Sequence, residues 1–112
     1  MDFSLNEDER AIEDAARRFA RDRLAPFAAE WDETSHFPVD RLREAAALGF
    51  AGIYVKSDVG GSEMSRLDAA IIMEELSAGC TSTAAFISIH NMASWMIDRY
   101  GSDAQRKKFL PK

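Results

Sequence analysis

The apolar residues of the N-terminal segment recur three or four positions apart, as one face of an α-helix requires. Asn6 and Glu9 precede them with the spacing of a capping box, in which each side chain bonds the backbone N–H of the other residue. Pro26 has no N–H and disfavours helix at the residue before it, so we expect a break or kink there before helix resumes through Phe27 and Trp31. The apolar stripe consists of Ala11, Ile12, Ala15, Ala16, Phe19 and Ala20.

The middle of the chain predicts a loop, one short helix and an irregular connector. Residues 34–36 form the loop. Pro38 suits the first turn of the helix that follows, and Gly49 suits its left-handed end. Residues 50–55 are apolar but are followed by turn-forming residues and by no second strand, so they predict a connector. The apolar stripe of the short helix consists of Leu42, Ala45, Ala46 and Leu48.

The last part of the chain predicts three more helices. Ser65 with Asp68, and Ser102 with Gln105, repeat the capping-box spacing and place two helix starts. Residues 79–81 interrupt the pattern, and a helix of about residues 82–98 follows, which Gly101 closes. The helix after Ser65 is expected to face inward with Leu67, Ala70, Ile71 and Leu76. The pattern as a whole predicts an all-α fold.

Residues 76–97 contain no charged side chain, although the chain has 14 basic and 19 acidic residues. A helix without a polar face must be covered on every side, and a chain of 112 residues has little polypeptide with which to cover it. Its many Ser and Thr residues argue against a membrane span. We therefore expect a buried helix of a soluble protein, enclosed in part by polypeptide outside this sequence, and we expect the last helix to be cut short.

Composition excludes some classes of partner and site. The net charge is -5, and basic residues alternate with acidic ones in runs such as RRFARDR, which leaves no basic face for nucleic acid. The single Cys80 cannot form an internal disulfide and fits a reducing compartment. The chain starts without a recognisable targeting peptide, so we expect a cytoplasmic, bacterial-type protein.

Few residues are candidates for catalysis or metal binding. We expect His36 in a solvated loop, His90 hydrogen-bonded within a buried helix, and Cys80 packed as a small apolar group. The pair Gly60 and Gly61 lacks the lysine and third glycine of a phosphate-binding loop and predicts a turn. We therefore assign no catalytic residue, no cofactor-binding residue and no metal ligand.

One face of the charge-free helix combines small side chains with one flexible thioether. Such a face leaves room beside the helix and is typical of a narrow apolar slot. Close packing between helices through small side chains produces the same pattern, and the pattern alone favours packing over a slot. Phe86 and Trp95, on other faces, are expected to be anchors. The residues of the face are Ala84, Ala85, Ser88 and Met92.

Four sequence blocks stand in order along the chain: FSLNEDER, WDETSHFPVDRLREAAALGFAGIYV, VGGSEMSRLDAAIIMEELSAGCTSTAAFISIHNMASWMI and GSDAQRKKFLP. Together they resemble the N-terminal α-helical domain of acyl-CoA dehydrogenases over the whole chain, residues 1–112. The segment SIHNMASWMID is most similar to isobutyryl-CoA dehydrogenases, which oxidise a short branched thioester in valine breakdown. The resemblance implies an orthogonal or irregular bundle of about five to six helices, without the middle β domain and C-terminal α domain of the family.

The resemblance also implies an activity and its partners. The family consists of FAD-dependent oxidoreductases, usually homotetramers, that dehydrogenate an acyl-CoA and pass electrons to an electron-transferring flavoprotein. In the family the catalytic glutamate lies in the C-terminal domain and most flavin contacts come from the other two domains, so this segment is expected to be inactive alone and to bind no FAD. Matching position by position places Ala84, Ala85, Ser88 and Met92 in one wall of the acyl pocket. The alternative is a stand-alone helical module that binds another protein without catalysis.

The chain departs from its branched-chain relatives at four positions. Glu63 and Met64 stand where the resemblance leads us to expect glycine and leucine, just before a helix cap, so they affect the shape of a loop. Ala84 and Phe86 stand where relatives carry threonine and tyrosine. Loss of two hydroxyl groups could enlarge or dry the acyl pocket, which leaves the identity of the substrate open.

Overall fold

The computed structural model describes residues 1–111, and within them there are six α-helices and no strand; the longest connection, residues 48–65, joins α3 to α4. The last residues of α1 continue into a π-helical turn, Ala20–Leu24, and a 3-10 turn, Ser57–Val59, lies between α3 and α4. The prediction of an all-α fold with about five to six helices is confirmed. The helices are α1 (Glu7–Phe19), α2 (Ala28–Thr34), α3 (Val39–Ala47), α4 (Arg66–Gly79), α5 (Thr81–Tyr100) and α6 (Asp103–Phe109).

Three helices begin at the predicted capping boxes. Asn6 Oδ1 accepts a hydrogen bond of 2.8 Å from the Glu9 N–H, and the Glu9 carboxylate accepts one of 2.9 Å from the Asn6 N–H. Each box satisfies donors that the first turn of a helix leaves unpaired. The same reciprocal bonds begin α4 at Ser65 with Asp68 and α6 at Ser102 with Gln105.

Pro26 lies where the first long helical segment ends. The Ala25 N–H still bonds the Ala20 carbonyl at 2.8 Å, closing the π-helical turn. Pro26 has no N–H with which to continue the ladder, and the Phe27 N–H instead bonds the Leu24 carbonyl at 3.0 Å. The chain then resumes as α2, so the predicted break is confirmed.

The short helix α3 has the predicted ends but only part of the predicted buried face. Pro38 precedes its first residue, and Gly49 follows with a left-handed φ of 89°. Two stripe residues lie toward the core and two lie exposed at the surface. The inward pair is Ala45 and Leu42, and the exposed pair is Ala46 and Leu48.

The core lies between α1, α4 and one side of α5. The α1 and α4 helices pack against each other along their length, and α4 also packs on the π-helical turn. A Cβ atom on Gly79 would lie 2.7 Å from the Ala20 carbonyl oxygen, so only glycine lets the end of α4 approach this turn so closely. The largest fully buried side chains are Leu24, Ile53, Ile72, Leu76 and Asn91.

The buried face of α4 differs from the predicted one. Ile71 and Leu76 are buried, as predicted, whereas Leu67 and Ala70 are exposed. Apolar residues surround much of this helix, so their spacing alone did not single out the face that meets the core. The other buried residues of α4 are Ala69 and Ile72.

Glu63 has a backbone conformation that favours glycine. Its φ is 51°, in the left-handed region, where a residue with a Cβ costs about 1–2 kcal/mol. Hydrogen bonds hold the backbone there, because the Glu63 N–H bonds the Val55 carbonyl at 2.9 Å and the Met64 N–H bonds the Ile53 carbonyl at 2.7 Å. The departure from the expected glycine therefore leaves the loop closed but strained.

Candidate functional site

Helix α5 has one side in the core and one side outside it. The buried residues recur three, four and seven positions apart, which places them along one side of the helix. The remaining residues are half-buried or exposed. Within residues 1–111, therefore, α5 is covered on one side only. The buried residues are Thr83, Ala84, Ile87, Asn91 and Asp98.

The opposite side of α5 is an exposed surface without charge. We call it the α5 face and define it by Ala85, Ser88, Ile89, Met92 and Met96, which lie within an arc of about 100° at 100° per residue. The side chains of Ile89, Met92 and Met96 are 62%, 54% and 50% exposed. A contiguous exposed apolar surface of this kind marks a binding site for a ligand or for other polypeptide.

Three of the four predicted pocket residues lie together on the α5 face. Ala85, Ser88 and Met92 are all exposed there. Ala84 is 2% exposed and packs in the core with Ile87. Ala84 therefore lies beneath the margin of the α5 face, in the core of the described part of the chain.

Asn91 fixes α5 against the connector of residues 50–55. It is buried, and its Oδ1 accepts a hydrogen bond of 2.7 Å from the Ile53 N–H. Its Nδ2 donates to the carbonyls of Phe50 and Ile87 at 2.7 and 2.9 Å. The apolar connector has no neighbouring strand, so this one amide side chain satisfies two of its backbone groups, the Ile53 N–H and the Phe50 carbonyl. Sequence reasoning missed this role, although Asn91 stands on the same stripe as Ala84 and Ile87.

Asp98 joins α5 to α6 and to the 3-10 turn. Its carboxylate accepts hydrogen bonds from the Lys56 N–H at 3.1 Å and from Arg106 Nε at 2.8 Å. Arg106 also makes two bonds to Asp58, at 2.9 and 3.1 Å. These hydrogen bonds from Arg106 lower the pKa of Asp58, and the two carboxylates raise the pKa of Arg106. The network holds the end of α5 in place, and the sequence pattern did not reveal it.

His36 and Cys80 line one cavity of about 240 Å³ between α2 and the start of α5, whereas His90 lies outside it. His90 is exposed, so the prediction of a buried histidine was wrong: it lies about 100° around the helix from the buried Asn91. His36 is exposed in its loop, as predicted. Cys80 is partly buried against the core, as expected of a small apolar group, and its Sγ accepts a hydrogen bond of 3.1 Å from Thr83 Oγ1.

Phe86 is not the buried anchor that the sequence predicted. Its side chain is 45% exposed and meets Phe37 edge to face, with ring centroids 4.9 Å apart. It borders an apolar groove of about 290 Å³ between α3 and α5. Apolar surface therefore extends from the α5 face around the helix toward α3.

Comparison with known proteins identifies the fold. Residues 6–112 match the family described as acyl-CoA dehydrogenase, N-terminal domain. The chain belongs to the acyl-CoA dehydrogenase family. It is 56% identical over 107 residues to the mitochondrial isobutyryl-CoA dehydrogenase of Dictyostelium discoideum, and 52% identical over 109 residues to that of Bos taurus. These matches cover 96% and 97% of this chain but 26% of each relative, so the chain spans about a quarter of their length.

Three solved structures have the same helical arrangement. The glutaryl-CoA dehydrogenase in its complex with glutaryl-CoA superposes with a TM-score of 0.93 at 31% identity, covering 100% of this chain and 29% of that one. Butyryl-CoA dehydrogenase from Megasphaera elsdenii gives a TM-score of 0.89 at 28% identity, covering 99% and 30%. The FAD complex of PigA gives 0.92 at 32% identity, covering 99% and 30%. The chain therefore has the N-terminal helical domain of this family.

The length and polarity of the helices bear on membrane insertion. Among residues 1–111, no helix is both long enough and apolar enough to cross a membrane, and this includes α5.

Proposed function

We propose that this chain is the N-terminal domain of an FAD-dependent dehydrogenase for a short branched acyl-CoA of the isobutyryl-CoA type, and that the α5 face is one wall of its acyl pocket. The α5 face carries this proposal, because it is apolar, uncharged and exposed in a chain that matches the family along almost all its length. The names of the two isobutyryl-CoA dehydrogenase relatives support a branched substrate for the proposed enzyme.

The chemistry of the α5 face suits a wall that positions an acyl group. Ala85 and Ser88 are small and leave space for a branched carbon chain, while Met92 can adjust its flexible thioether to the shape of that chain. Removal of an α-proton needs a base, and the α5 face carries no ionisable side chain. Its contribution is to orient the acyl group and exclude water from it.

The cofactor and the remaining partners belong to the rest of the proposed enzyme. When bound, FAD supplies the acceptor for the β-hydride. The α5 face does not fit a flavin, since the Ser88 hydroxyl is its only side-chain hydrogen-bond donor and it offers no cation for the phosphates. We infer that the other domains hold FAD and the catalytic glutamate. We also infer that the enzyme is a homotetramer, that it acts in valine breakdown, and that it reduces an electron-transferring flavoprotein.

The compartment stays a prediction. The sequence suggests a cytoplasmic protein, whereas the names of both isobutyryl-CoA dehydrogenase relatives place those proteins in mitochondria. Localisation of the tagged chain in its own cells decides between the two.

The α5 face also favours a second function, a helical module that binds another protein without catalysis. An exposed apolar surface serves as a protein interface as readily as it serves as a substrate wall. The two functions differ in what completes the surface: the other domains of one enzyme, or a separate protein.

A hybrid enzyme distinguishes the two functions. We call hybrid enzyme the protein in which this chain replaces the matching quarter of the Dictyostelium relative. We expect it to purify with one flavin per subunit and to oxidise isobutyryl-CoA at a rate comparable with that of the intact relative, whereas the 112-residue chain alone does neither. A folded hybrid enzyme without flavin and without turnover would contradict the proposal. Flavin bound to the chain alone would contradict the inference that the other domains hold FAD.

A further inference from the structure

Arg66, the first residue of α4, lies against two aromatic rings. Its Cζ is 4.1 Å from the centroid of the Tyr54 ring and 5.0 Å from that of Trp95. Tyr54 belongs to the connector before α4, and Trp95 belongs to α5. Cation–π contacts at these distances are attractive. Three separate segments therefore hold this guanidinium group in one position.

The guanidinium of Arg66 has no acidic partner among residues 1–111. It forms no ion pair there, and its N–H groups donate to no described oxygen. Acidic residues are not scarce, since the net charge is -5. The arginines that do pair with a carboxylate are Arg17, Arg21, Arg23, Arg41, Arg43 and Arg106.

The position of Arg66 relates it to the α5 face. Trp95 comes almost one turn after Met92 and lies about 60° around the helix from it, at the edge of the face. Arg66 thus places a positive charge at the border of an uncharged apolar surface. Protein interfaces commonly combine an apolar centre with a polar rim.

We propose that Arg66 binds a carboxylate on the polypeptide that covers the α5 face in the assembled enzyme. This inference rests on the proposed function, and the carboxylate belongs to an Asp or Glu in the part of the enzyme that this chain does not span. A planar guanidinium with free N–H groups matches a carboxylate through two parallel hydrogen bonds.

A carboxylate suits this position better than a phosphate group. Arg66 is a single cation, and Asp68 lies in the same first turn with its carboxylate bonded to the N–H and hydroxyl of Ser65. A phosphate at a helix start is bound by free backbone N–H groups, and here the Asp68 N–H is already bonded to Ser65 Oγ at 3.1 Å.

Arg66→Glu and Arg66→Met, made in the hybrid enzyme and in the 112-residue chain, test this proposal. In the hybrid enzyme we expect each variant to lower the thermal unfolding midpoint by about 5 °C more than it does in the chain alone, because only the hybrid enzyme contains the carboxylate. The KM for isobutyryl-CoA should stay within about twofold of its starting value. Arg10→Glu, which reverses an exposed charge on α1, is the matched control and should leave both proteins unchanged.

A rescue experiment identifies the partner. Single Asp or Glu to Arg substitutions across the rest of the hybrid enzyme should include one that restores the midpoint of Arg66→Glu. If the unfolding midpoint falls equally in the hybrid enzyme and in the chain, Arg66 has a purely local role. If the KM for acyl-CoA rises while the midpoint is unchanged, Arg66 binds a phosphate group of the substrate. Either result, or the absence of any rescue, overturns the proposal. Flavin content and turnover of the unsubstituted hybrid enzyme report separately on the proposed function.

Discussion

Asn91→Ala is expected to lower the free energy of unfolding of the chain by about 3–5 kcal/mol. The substitution removes the acceptor of the buried Ile53 N–H and the donor to the Phe50 carbonyl, and it leaves a cavity beside α5. Each buried polar group without a partner costs about 1–3 kcal/mol. Urea unfolding followed by tryptophan fluorescence measures the loss.

Asn6→Ala is the matched control for this prediction. It makes the same change at an exposed N-cap, where Asn6 accepts one hydrogen bond from Glu9, and the loss of a cap costs about 1 kcal/mol. If Asn91→Ala were no more destabilising than Asn6→Ala, the connector of residues 50–55 would not depend on Asn91 as the structure indicates.

Ala85→Leu and Ser88→Leu in the hybrid enzyme are expected to raise the KM for isobutyryl-CoA by about 10- to 100-fold. Each adds a branched side chain to the wall of a pocket that fits a small acyl group, and overpacking of this kind costs about 1–3 kcal/mol. Both residues are exposed in the chain, so its unfolding midpoint should change little. Steady-state kinetics with isobutyryl-CoA and with smaller acyl-CoA substrates measure the effect, and the smaller substrates should lose less.

Ala11→Leu controls for the added bulk. Ala11 is exposed near the start of α1, outside the α5 face, and its substitution should leave the kinetics unchanged. An unaltered substrate profile in both α5 variants would remove Ala85 and Ser88 from the acyl wall.

Helix starts could be predicted from the sequence because the signals that set them are local. A capping box involves two residues three positions apart, as at Asn6 with Glu9, and needs no knowledge of the tertiary fold. The end of α3 at Gly49 and the break at Pro26 are equally local, since glycine and proline act through their own backbone conformation.

Orientation within the bundle could not be predicted in the same way. The buried Asn91 and the exposed His90 are neighbours in sequence, and only the packing of α5 on the connector decides which of them points inward. In the sequence, Asp98 is likewise an ordinary charged residue near the end of a helix. In the structure, it is buried and bonded to Arg106. Such roles depend on residues from distant segments.

Part of the candidate site could be predicted from the sequence. Small residues in a segment without charge predicted a surface that needs a cover, and the resemblance to a family indicated the acyl group as its contact. The pattern did not separate Ala84, which packs in the core, from Ala85, Ser88 and Met92, which lie on the α5 face. The assignment to the acyl wall remains a prediction for these residues.

Oxidation of Met92 and Met96 tests most directly whether the α5 face is enclosed by the rest of the enzyme. Both side chains are about half exposed in the chain, and the fully exposed Met1 serves as an internal reference. Methionine reacts with hydrogen peroxide according to its exposure, and mass spectrometry resolves each site. We predict that Met92 and Met96 react readily in the 112-residue chain and about tenfold more slowly in the hybrid enzyme, relative to Met1. Equal reactivity in both proteins would contradict the account.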